Sequence, residues 1–482
     1  MSAIRLSSLV LFLGASPAAI AQSPQAEPSR PVLTFNVVAL DAKGAPLREF
    51  PAADLRIYDD GKLMQAAFCR PLVTAERQLT QLGPGEYSNR RTGRNPQSIL
   101  ILLDLLNANL GERSLGWNDI THTFPKLESG SYLYLYLLTN QGAFYPVHAL
   151  PGADNPVSQD DTGWFAQVPS LLDQAMRTVS GLRPHEFQAD VDARVRKTLA
   201  VLGDLASVFG AQPGGKSLVW ISHGVPIGAT GPNRQWIDYT PLVLRLGTDL
   251  ARSGIMVYAV GQEERDTSGM SSMNSMQQIA GLTAGKWLPG ATEKAIETAV
   301  SEGRATYQVG YIPPPERWDH KFHKLRVTTE NKGARLRAID GYYGDVRAAD
   351  PGQRLAHATL GQADDSGIGI RAAVTASEKA KGWNHFEIRV DTADLQLTPG
   401  EAYTGDFSLT MAYYTDVTGW QRTSEGIQTK LRLTPAEHDT VMRDGVSVSF
   451  DRPVTASIHK ARIVIRDNQS GAVGSLTVPV VH

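Results

Sequence analysis

The sequence predicts a doubly wound α/β sheet inserted into a β-sandwich, followed by a C-terminal all-β sandwich. Three observations lead to this prediction. Continuous apolar runs alternate with helical patterns between residues 97 and 303, which is typical of a parallel sheet with helices on both faces. Strand-like runs without helices lie on both sides of this region. A further series of alternating strands fills residues 366–482, as in a β-sandwich.

Length, charge and cysteine content limit the classes of function. With 482 residues the chain is too long for a single hydrophobic core. A formal charge of -2 and the lack of a Lys/Arg cluster argue against nucleic-acid binding, which needs a concentrated basic surface. The one cysteine, Cys69, cannot form an internal disulfide. We therefore expect a buried thiol there and stability from packed cores.

The first 21 residues are typical of a secretory signal peptide. Arg5 precedes a short apolar run, and small residues end at Ala21, after which we expect cleavage. The apolar run is far shorter than the roughly 18 residues needed to span a bilayer. The mature chain then begins with a polar linker, residues 22–30, and has no predicted transmembrane segment. We expect the protein in the periplasm or outside the cell.

Residues 31–75 are predicted to form the first part of the interrupted sandwich. They contain a strand and then a hairpin, in which Asp60-Gly61 is a two-residue turn signal between two alternating runs. Strands without partners or a covering helix cannot close a core alone. Residues 304–346 supply more strand-like runs, so we predict that the two segments build one sandwich around the inserted domain.

The inserted domain, residues 97–303, begins with a continuous apolar run that ends at Asp104. Val195 and Leu199 belong to a series of apolar residues at helical spacing. A last helix is predicted from the cap-like Thr292 onwards. The carboxyl ends of parallel strands line the ligand crevice of such sheets. Asp104 is therefore a candidate for a metal ligand, a catalytic acid or a helix cap.

A set of short segments resembles a known family of bacterial proteins. In order along the chain they are "ILLDLLN", "GGKSLVWISHGVP", "GIMVYAV", "TAGKW", "YQVGYIPP" and "RLRAIDGYYG". These segments are similar to those of the von Willebrand factor A-related proteins of the acidobacterial type, over about residues 32–345. The resemblance implies a von Willebrand factor A-like domain: a mostly parallel sheet flanked by helices, with a possible metal site at the strand ends.

The resemblance also implies which residues a metal would need. In the A domains that bind Mg²⁺, the first strand ends in Asp-x-Ser-x-Ser and the fourth ends in an Asp before Gly, because this hard cation prefers oxygen ligands. Asp104 matches the first position, but Leu106 and Ala108 stand in place of the two serines. His223 stands where the second Asp is expected. We therefore predict no intact metal-ion-dependent adhesion site, no metal and no cofactor.

Two interpretations of the remaining polar residues stay open. Asp104, Asn107 and His223 would form a variant site for Zn²⁺ or a similar ion, which accepts imidazole ligands. Alternatively, Asp104 and Asn107 form hydrogen bonds that cap the following loop or helix. The second interpretation needs no ion and is the one we favour.

The segment "GAQPGGKS", residues 210–217, fits the phosphate-loop pattern letter for letter. A phosphate loop must follow a strand and open a helix, so that its backbone amides face the phosphates. Here a helical pattern precedes the segment and a strand pattern follows it. We therefore interpret it as a helix-to-strand connection, with Gly210 as the helix C-cap.

Two further short motifs contain histidine and are candidates for catalytic or metal sites. Ser222 and His223 are adjacent at a strand end, where neighbouring side chains point to opposite faces, so they do not suit a nucleophile and its base. No G-x-S-x-G elbow is present. His320 and His323 are three residues apart at the start of a strand, and an odd separation again sends them to opposite sides. We interpret this second pair as a solvated strand start and not as a metal site.

The sequence as a whole predicts an exported, non-enzymatic protein-interaction module. The expected binding crevice is formed by Asp104, Asn107, Ser222 and His223, and the expected partner is an unidentified extracytoplasmic protein. A metal-dependent adhesion protein with a degenerate site is one alternative. An exported hydrolase is the other, although no convincing catalytic set is present.

Overall fold

The computed structural model describes most of the chain beyond the predicted signal peptide and linker. The described residues are 32–47, 50–51, 54–72, 82–83, 85–90, 97–107, 110–124, 132–150, 164–180, 190–210, 212, 214–231, 234–261, 272–345, 351–360, 364–398 and 400–482. Of the described residues, 28% are in helices and 42% are in strands. The sheets include one with parallel strands and several that are sandwich-like. The predicted mixed α/β class is therefore confirmed at this level. No helix in these ranges is long and apolar enough to cross a membrane.

Strands outnumber helices among the described elements. In chain order the strands are β1 (Leu33–Asp41), β2 (Leu55–Asp59), β3 (Lys62–Met64), β4 (Ala66–Pro71), β5 (Glu86–Ser88), β6 (Ser98–Asp104), β7 (Tyr132–Leu138), β8 (Phe144–His148), β9 (Lys216–Ile221), β10 (Gly228–Thr230), β11 (Trp236–Asp238), β12 (Ile255–Val260), β13 (Lys286–Trp287), β14 (Thr306–Tyr311), β15 (Phe322–Thr329), β16 (Ala334–Arg337), β17 (Gly341–Tyr343), β18 (Ile370–Ala376), β19 (Trp383–Val390), β20 (Tyr403–Thr415), β21 (Gly419–Leu433), β22 (Val446–Pro453), β23 (Lys460–Asp467) and β24 (Val473–Pro479). The α-helices are α1 (Leu110–Thr123), α2 (Val168–Ser180), α3 (Val191–Gly210), α4 (Thr240–Arg252), α5 (Ser272–Leu282), α6 (Thr292–Gly303), α7 (Pro351–Leu360) and α8 (Pro435–Asp444).

Strands from both sides of the α/β region share two sheets. One sheet has the order β16-β1-β14-β4 and the other the order β17-β15-β2-β3. Leu33 of β1 pairs with Tyr311 of β14, and Ile57 of β2 pairs with Val327 of β15. Their apolar side chains meet in one core. The two segments therefore complete each other, although the exact domain boundaries stay a prediction.

The α/β region is built on a sheet of the order β13-β12-β9-β6-β7-β8. Among the described strands of this sheet, β8 is antiparallel to its neighbour and the others are parallel. Every residue of β6, β9 and β12 is buried. Leu100 and Leu102 pack with α3, α4 and α5 on one face, whereas Ile99 and Ile101 pack with α1, α2 and α6 on the other. Alternate residues thus supply two separate cores, which explains the uninterrupted apolar run.

The C-terminal part contains a second pair of sheets, with the orders β22-β19-β18-β5 and β21-β20-β23-β24. The short strand β5 comes from residues that precede the α/β region and was not predicted from the sequence. Asn89 fixes it: the Ile370 backbone N–H donates to Asn89 Oδ1 at 2.8 Å, and Asn89 Nδ2 donates to the carbonyls of Asp365 and Ile368. Helices α7 and α8 were also not predicted.

A buried ionic cluster connects the α/β region to the first sandwich. Glu302, at the end of α6, has a side chain 3% exposed. It accepts hydrogen bonds from Arg337 of β16, from Lys286 Nζ at 2.6 Å and from the Tyr258 hydroxyl at 2.8 Å. We call Tyr258, Lys286, Glu302 and Arg337 the junction cluster. It ties the central sheet to the sandwich.

Several smaller predictions can be compared with the structure. Helix α3 ends at Gly210 and β9 begins at Lys216, so a helix precedes the phosphate-loop-like segment and a strand follows it, as predicted. Helix α6 begins at Thr292, but its N-cap is Ala291 without a side-chain cap bond. A buried thiol was expected at Cys69, but on β4 this residue is only half-buried. Burial still raises the pKa of this thiol.

Candidate functional site

The predicted crevice residues lie where the strand order of the central sheet reverses. From β6 the chain continues to β7 on one side, and β9 lies on the other side. Open α/β sheets bind their ligands outside the carboxyl ends of the strands at such a switch point. Asp104 is the last residue of β6, and Ser222 directly follows β9. The Ser222 hydroxyl donates a hydrogen bond to Asp104 Oδ2 at 2.7 Å.

Asp104 is fully buried, and its carboxylate faces donors of its own chain. Oδ1 accepts the backbone N–H groups of Leu106 and Asn107, both at 3.0 Å. Oδ2 accepts the Asn107 side-chain amide at 2.8 Å, the Trp220 indole N–H at 3.3 Å and the Ser222 hydroxyl. The described residues thus supply five donors to this one carboxylate. A carboxylate offers about four acceptor positions, so little capacity is left for a metal ion.

The electrostatics of Asp104 follow from this neutral surrounding. Burial raises the pKa of Asp104, and the hydrogen bonds from Ser222, Asn107 and Trp220 offset only part of that effect. The two backbone bonds to Oδ1 also close the turn after β6, which is the capping role that the sequence suggested. Asp104 is therefore a buried hydrogen-bonding centre of the switch point.

The other crevice residues surround this centre at different depths. Asn107 is half-buried, and its amide also donates to the Thr198 hydroxyl of α3 at 3.0 Å. Ser222 is 3% exposed and accepts the Gly224 N–H at 2.9 Å. His223, the next residue, is half-buried. Asp104, Asn107 and Ser222 thus form one hydrogen-bond network. Ala108, which stands in place of the second serine of the metal-binding motif, lies outside the described residues.

A short hairpin follows the crevice segment and was not predicted. It consists of β10 and β11 and leads into α4. Trp236 is 54% exposed, and its ring covers Gly228, where a Cβ atom would lie only 2.2 Å from the ring. Three-residue strands carry too little periodicity to be recognised in a sequence. The hairpin thus carries a large exposed aromatic side chain, Trp236, shortly after the crevice residues Ser222 and His223 in the sequence.

A second polar cluster, which we call the sandwich cluster, lies in the first sandwich, around the turn after β2 and the start of β15. Asp59, Asp60 and His323 each offer a possible ligand atom, and these atoms lie within 4.8 Å of one another. His323 Nδ1 is 3.0 Å from Asp60 Oδ2, and Nε2 is 2.9 Å from Asp319 Oδ1. The backbone favours this arrangement, since Asp60 and Gly61 both have positive φ in the tight turn after β2.

The two histidines of this region, His320 and His323, differ in exposure, and only one of them matches the prediction. His323 is 5% exposed, so the expectation of a solvated strand start was wrong for this residue. His320 has a side chain 67% exposed, with Nδ1 3.8 Å from Asp345. The sandwich cluster joins His323 to residues more than 260 positions away. No local spacing in the sequence could have indicated it.

Arg317 lies within the sandwich cluster. Its Nη1 is 2.6 Å from Asp60 Oδ2 and 3.3 Å from His323 Nδ1, and its Nε is 3.4 Å from Asp59 Oδ2. The hydroxyls of Tyr311 and Tyr342 also donate to Asp59 Oδ2, at 2.5 and 3.0 Å.

Burial and the neighbouring Asp59 carboxylate raise the pKa values of both Tyr311 and Tyr342. Burial would raise the pKa of Asp60, but hydrogen bonds from His323 and the Lys324 N–H, together with the charge of Arg317, lower it. The pKa of Asp60 is therefore lowered in spite of its partial burial.

The comparisons with known proteins give no further identification. Neither a protein-family model nor a curated protein matches the chain. The likeness to the von Willebrand factor A-related family therefore rests on the sequence segments alone and stays a prediction.

Proposed function

We propose that the mature chain is an exported, non-enzymatic interaction protein with a von Willebrand factor A-like domain. It binds an extracytoplasmic protein partner at the crevice formed by Asp104, Asn107, Ser222 and His223. This binding does not require a bridging metal ion. Trp236, on the hairpin that follows the crevice, adds an aromatic contact of the kind that dominates many protein interfaces.

The architecture supports the assignment of the domain. The resemblance implies a mostly parallel sheet flanked by helices, and the central sheet has one antiparallel edge strand and a helical layer on each face. The residues at its switch point are those that the motif comparison singled out. Ligand binding at this position is general for open α/β sheets.

The saturation of Asp104 is the observation that carries the proposal of metal-independent binding. Five donors of the described chain satisfy its carboxylate, which is 0% exposed. A bridging ion would have to displace several of these bonds and would gain one carboxylate. The side chain of Leu106 offers no ligand atom in return.

The geometry does not favour the hydrolase alternative. A serine nucleophile must reach its substrate and pass its proton to a base. Ser222 is 3% exposed, and its hydroxyl donates to the buried Asp104. A catalytic role for Ser222 would require this network to open.

The proposal is tested by capture of partners from the cell envelope on immobilised mature protein, followed by binding measurements with the purified partner. We expect equal binding in Mg²⁺ and in EDTA. His223→Ala should weaken binding, whereas the matched variant His459→Ala, a half-exposed histidine of the C-terminal sandwich, should not. Binding that disappears in EDTA and returns with Mg²⁺ would support the degenerate adhesion site instead.

A further inference from the structure

We propose that Asp59, Asp60 and His323 form a binding site for a divalent transition-metal ion such as Zn²⁺, which competes with the Arg317 guanidinium for the same ligands. The site lies in the first sandwich, at the turn between β2 and β3 and the start of β15. It is separate from the switch-point crevice and does not depend on the proposed partner binding.

The positions of the ligand atoms fit a small ion after a minor adjustment. Two carboxylates and one imidazole place their ligand atoms within 4.8 Å of one another. Bonds of about 2.1 Å to zinc put tetrahedral ligands about 3.4 Å apart, so the atoms must approach by on the order of 1 Å. Asp60 allows this because it lies in an exposed turn, with 36% of its side chain accessible.

Asp319 supplies the orienting contact that metal-binding histidines need. Such histidines almost always donate their second ring N–H to a carboxylate or carbonyl, which fixes the ring. His323 Nε2 lies 2.9 Å from Asp319 Oδ1. Nδ1 donates to Asp60 Oδ2 in the arrangement with Arg317. When the ion replaces Arg317, Nδ1 releases its proton and serves as the ligand, and Nε2 keeps its proton for Asp319.

Asp59 provides an independent reason to expect a cation here. It is 1% exposed, yet its Oδ1 has no hydrogen-bond partner among the residues that the structure describes. A buried carboxylate oxygen without a partner is costly. An ion bound to Oδ1 supplies the missing partner and removes that cost, while Oδ2 keeps the hydrogen bonds from Tyr311 and Tyr342.

Arg317 shows that the cluster already accepts a cation. Its guanidinium contacts the same three groups that the ion would use. The carboxylates of Asp59 and Asp60 both contact this one guanidinium, whereas Asp319 Oδ2 lies 3.7 Å from Lys321 Nζ. A divalent ion in place of the guanidinium therefore brings the local charge closer to neutrality. The Arg317 side chain is 18% exposed, so it has a route to the solvent when it is displaced.

The ligand set determines the class of ion. Mg²⁺ requires an octahedral shell of oxygen ligands and dehydrates reluctantly. An imidazole with carboxylates suits Zn²⁺ and related first-row ions. Three protein ligands leave a position for water or for a group from a ligand.

Calorimetric titration of the full mature chain with Zn²⁺ tests the proposal. His323→Gln removes a ligand and should weaken binding at least tenfold, whereas His320→Gln, an exposed histidine of the same segment, should leave it unchanged. Arg317→Gln removes the competitor and should strengthen binding at least tenfold. Asp319→Asn changes only the orienting contact, so we expect weakening by roughly tenfold.

Co²⁺ gives a second readout, because its visible absorption bands report the ligands directly. We expect the same bands in wild type and His320→Gln and their loss in His323→Gln. Identical Zn²⁺ isotherms for His323→Gln and His320→Gln would overturn the proposal. Arg317→Gln binding no tighter than wild type would overturn the competition. Asp319 lies at the surface, so Asp319→Asn is expected to fold even if Arg317→Gln does not. Zn²⁺ binding by Asp319→Asn as tight as in wild type would then contradict the proposed site.

Discussion

The switch-point crevice and the junction cluster each contain a buried carboxylate, but their partners differ in charge. Asp104 accepts hydrogen bonds from neutral groups, and burial raises its pKa. Burial would also raise the pKa of Glu302, but the hydrogen bonds and charge of Arg337 and the bond from Lys286 outweigh it and lower that pKa. Both carboxylates are buried, yet the pKa of Asp104 is raised and the pKa of Glu302 is lowered.

The charge of the partners determines the role of each carboxylate. The Glu302 carboxylate binds cationic side chains from the central sheet and the first sandwich and so connects the two units. Removal of one partner from such a buried ion pair is strongly destabilising. A buried carboxylate that only neutral groups contact has a raised pKa, and the five donors around Asp104 occupy its acceptor positions. At the switch point, Asp104 therefore holds the side chains of Asn107 and Ser222 in position through its hydrogen bonds.

The largest expected effect is that of Glu302→Gln. It leaves Arg337 and Lys286 beside a neutral side chain, and loss of one member of a buried ion pair costs about 3–5 kcal/mol. Urea unfolding measures the change in the free energy of unfolding. Glu297→Gln, an exposed change on the same helix α6, should stay within about 0.5 kcal/mol of wild type. Equal stability of the two variants would show that the junction cluster contributes nothing.

Asp104→Ala should have the next largest effect. It leaves buried donors without an acceptor, each at a cost of about 1–3 kcal/mol. Partial compensation among neighbours brings the expected total to roughly 2–4 kcal/mol, above the 0.5–2 kcal/mol of an isolated helix cap. Asp204→Ala, at an exposed position of α3, is the control. A loss below about 1 kcal/mol would mean that the network around Asp104 is not a stabilising unit.

Much of the fold could be predicted because its signals are local. The apolar runs of β6, β9 and β12 and the helical spacing in α3 come from burial on two faces or on one stripe. The Asp60-Gly61 turn was recognisable because both positions need positive φ. Strand β5 was not, since three residues show no periodicity and its anchor, Asn89, acts through residues more than 270 positions away.

The candidate sites also contain features with a local sequence signal and features that depend on distant residues. Asp104 was recognised because it ends a buried strand, and Ser222 because it follows another. The five donors around Asp104 could not be counted from the sequence, since Trp220 reaches it from a neighbouring strand. The sandwich cluster depends entirely on strand pairing between the two flanks, and no spacing rule brings Asp60 next to His323.

The pH dependence of stability should differ in sign between the two regions. The lowered pKa of Glu302 gives a stabilising contribution that is present above the unfolded value of about 4.3 and is lost as pH falls through the folded value. The difference in unfolding free energy between wild type and Glu302→Gln should therefore shrink in acid. Asp104 has a raised pKa, so its contribution is greatest in acid and falls as pH rises through the folded value.

The measurement is the free energy of unfolding of wild type, Glu302→Gln and Asp104→Ala between pH 3 and 7. The difference between wild type and Asp104→Ala should grow as pH falls, opposite to that for Glu302→Gln. Parallel curves for both variants would contradict the assignment of opposite pKa shifts.

The smallest expected effect is that of Mg²⁺ on thermal stability. A ligand that binds only the folded state stabilises it by RT ln(1 + [L]/Kd), or about 4 kcal/mol at a concentration a thousandfold above Kd. Because the donors around Asp104 leave no acceptor position for the ion, we expect no shift in the unfolding temperature with Mg²⁺, in wild type or in Asp104→Ala. A shift in wild type that disappears in Asp104→Ala would mean that Mg²⁺ opens the network and binds there. A shift present in both would place the Mg²⁺ site away from the switch point.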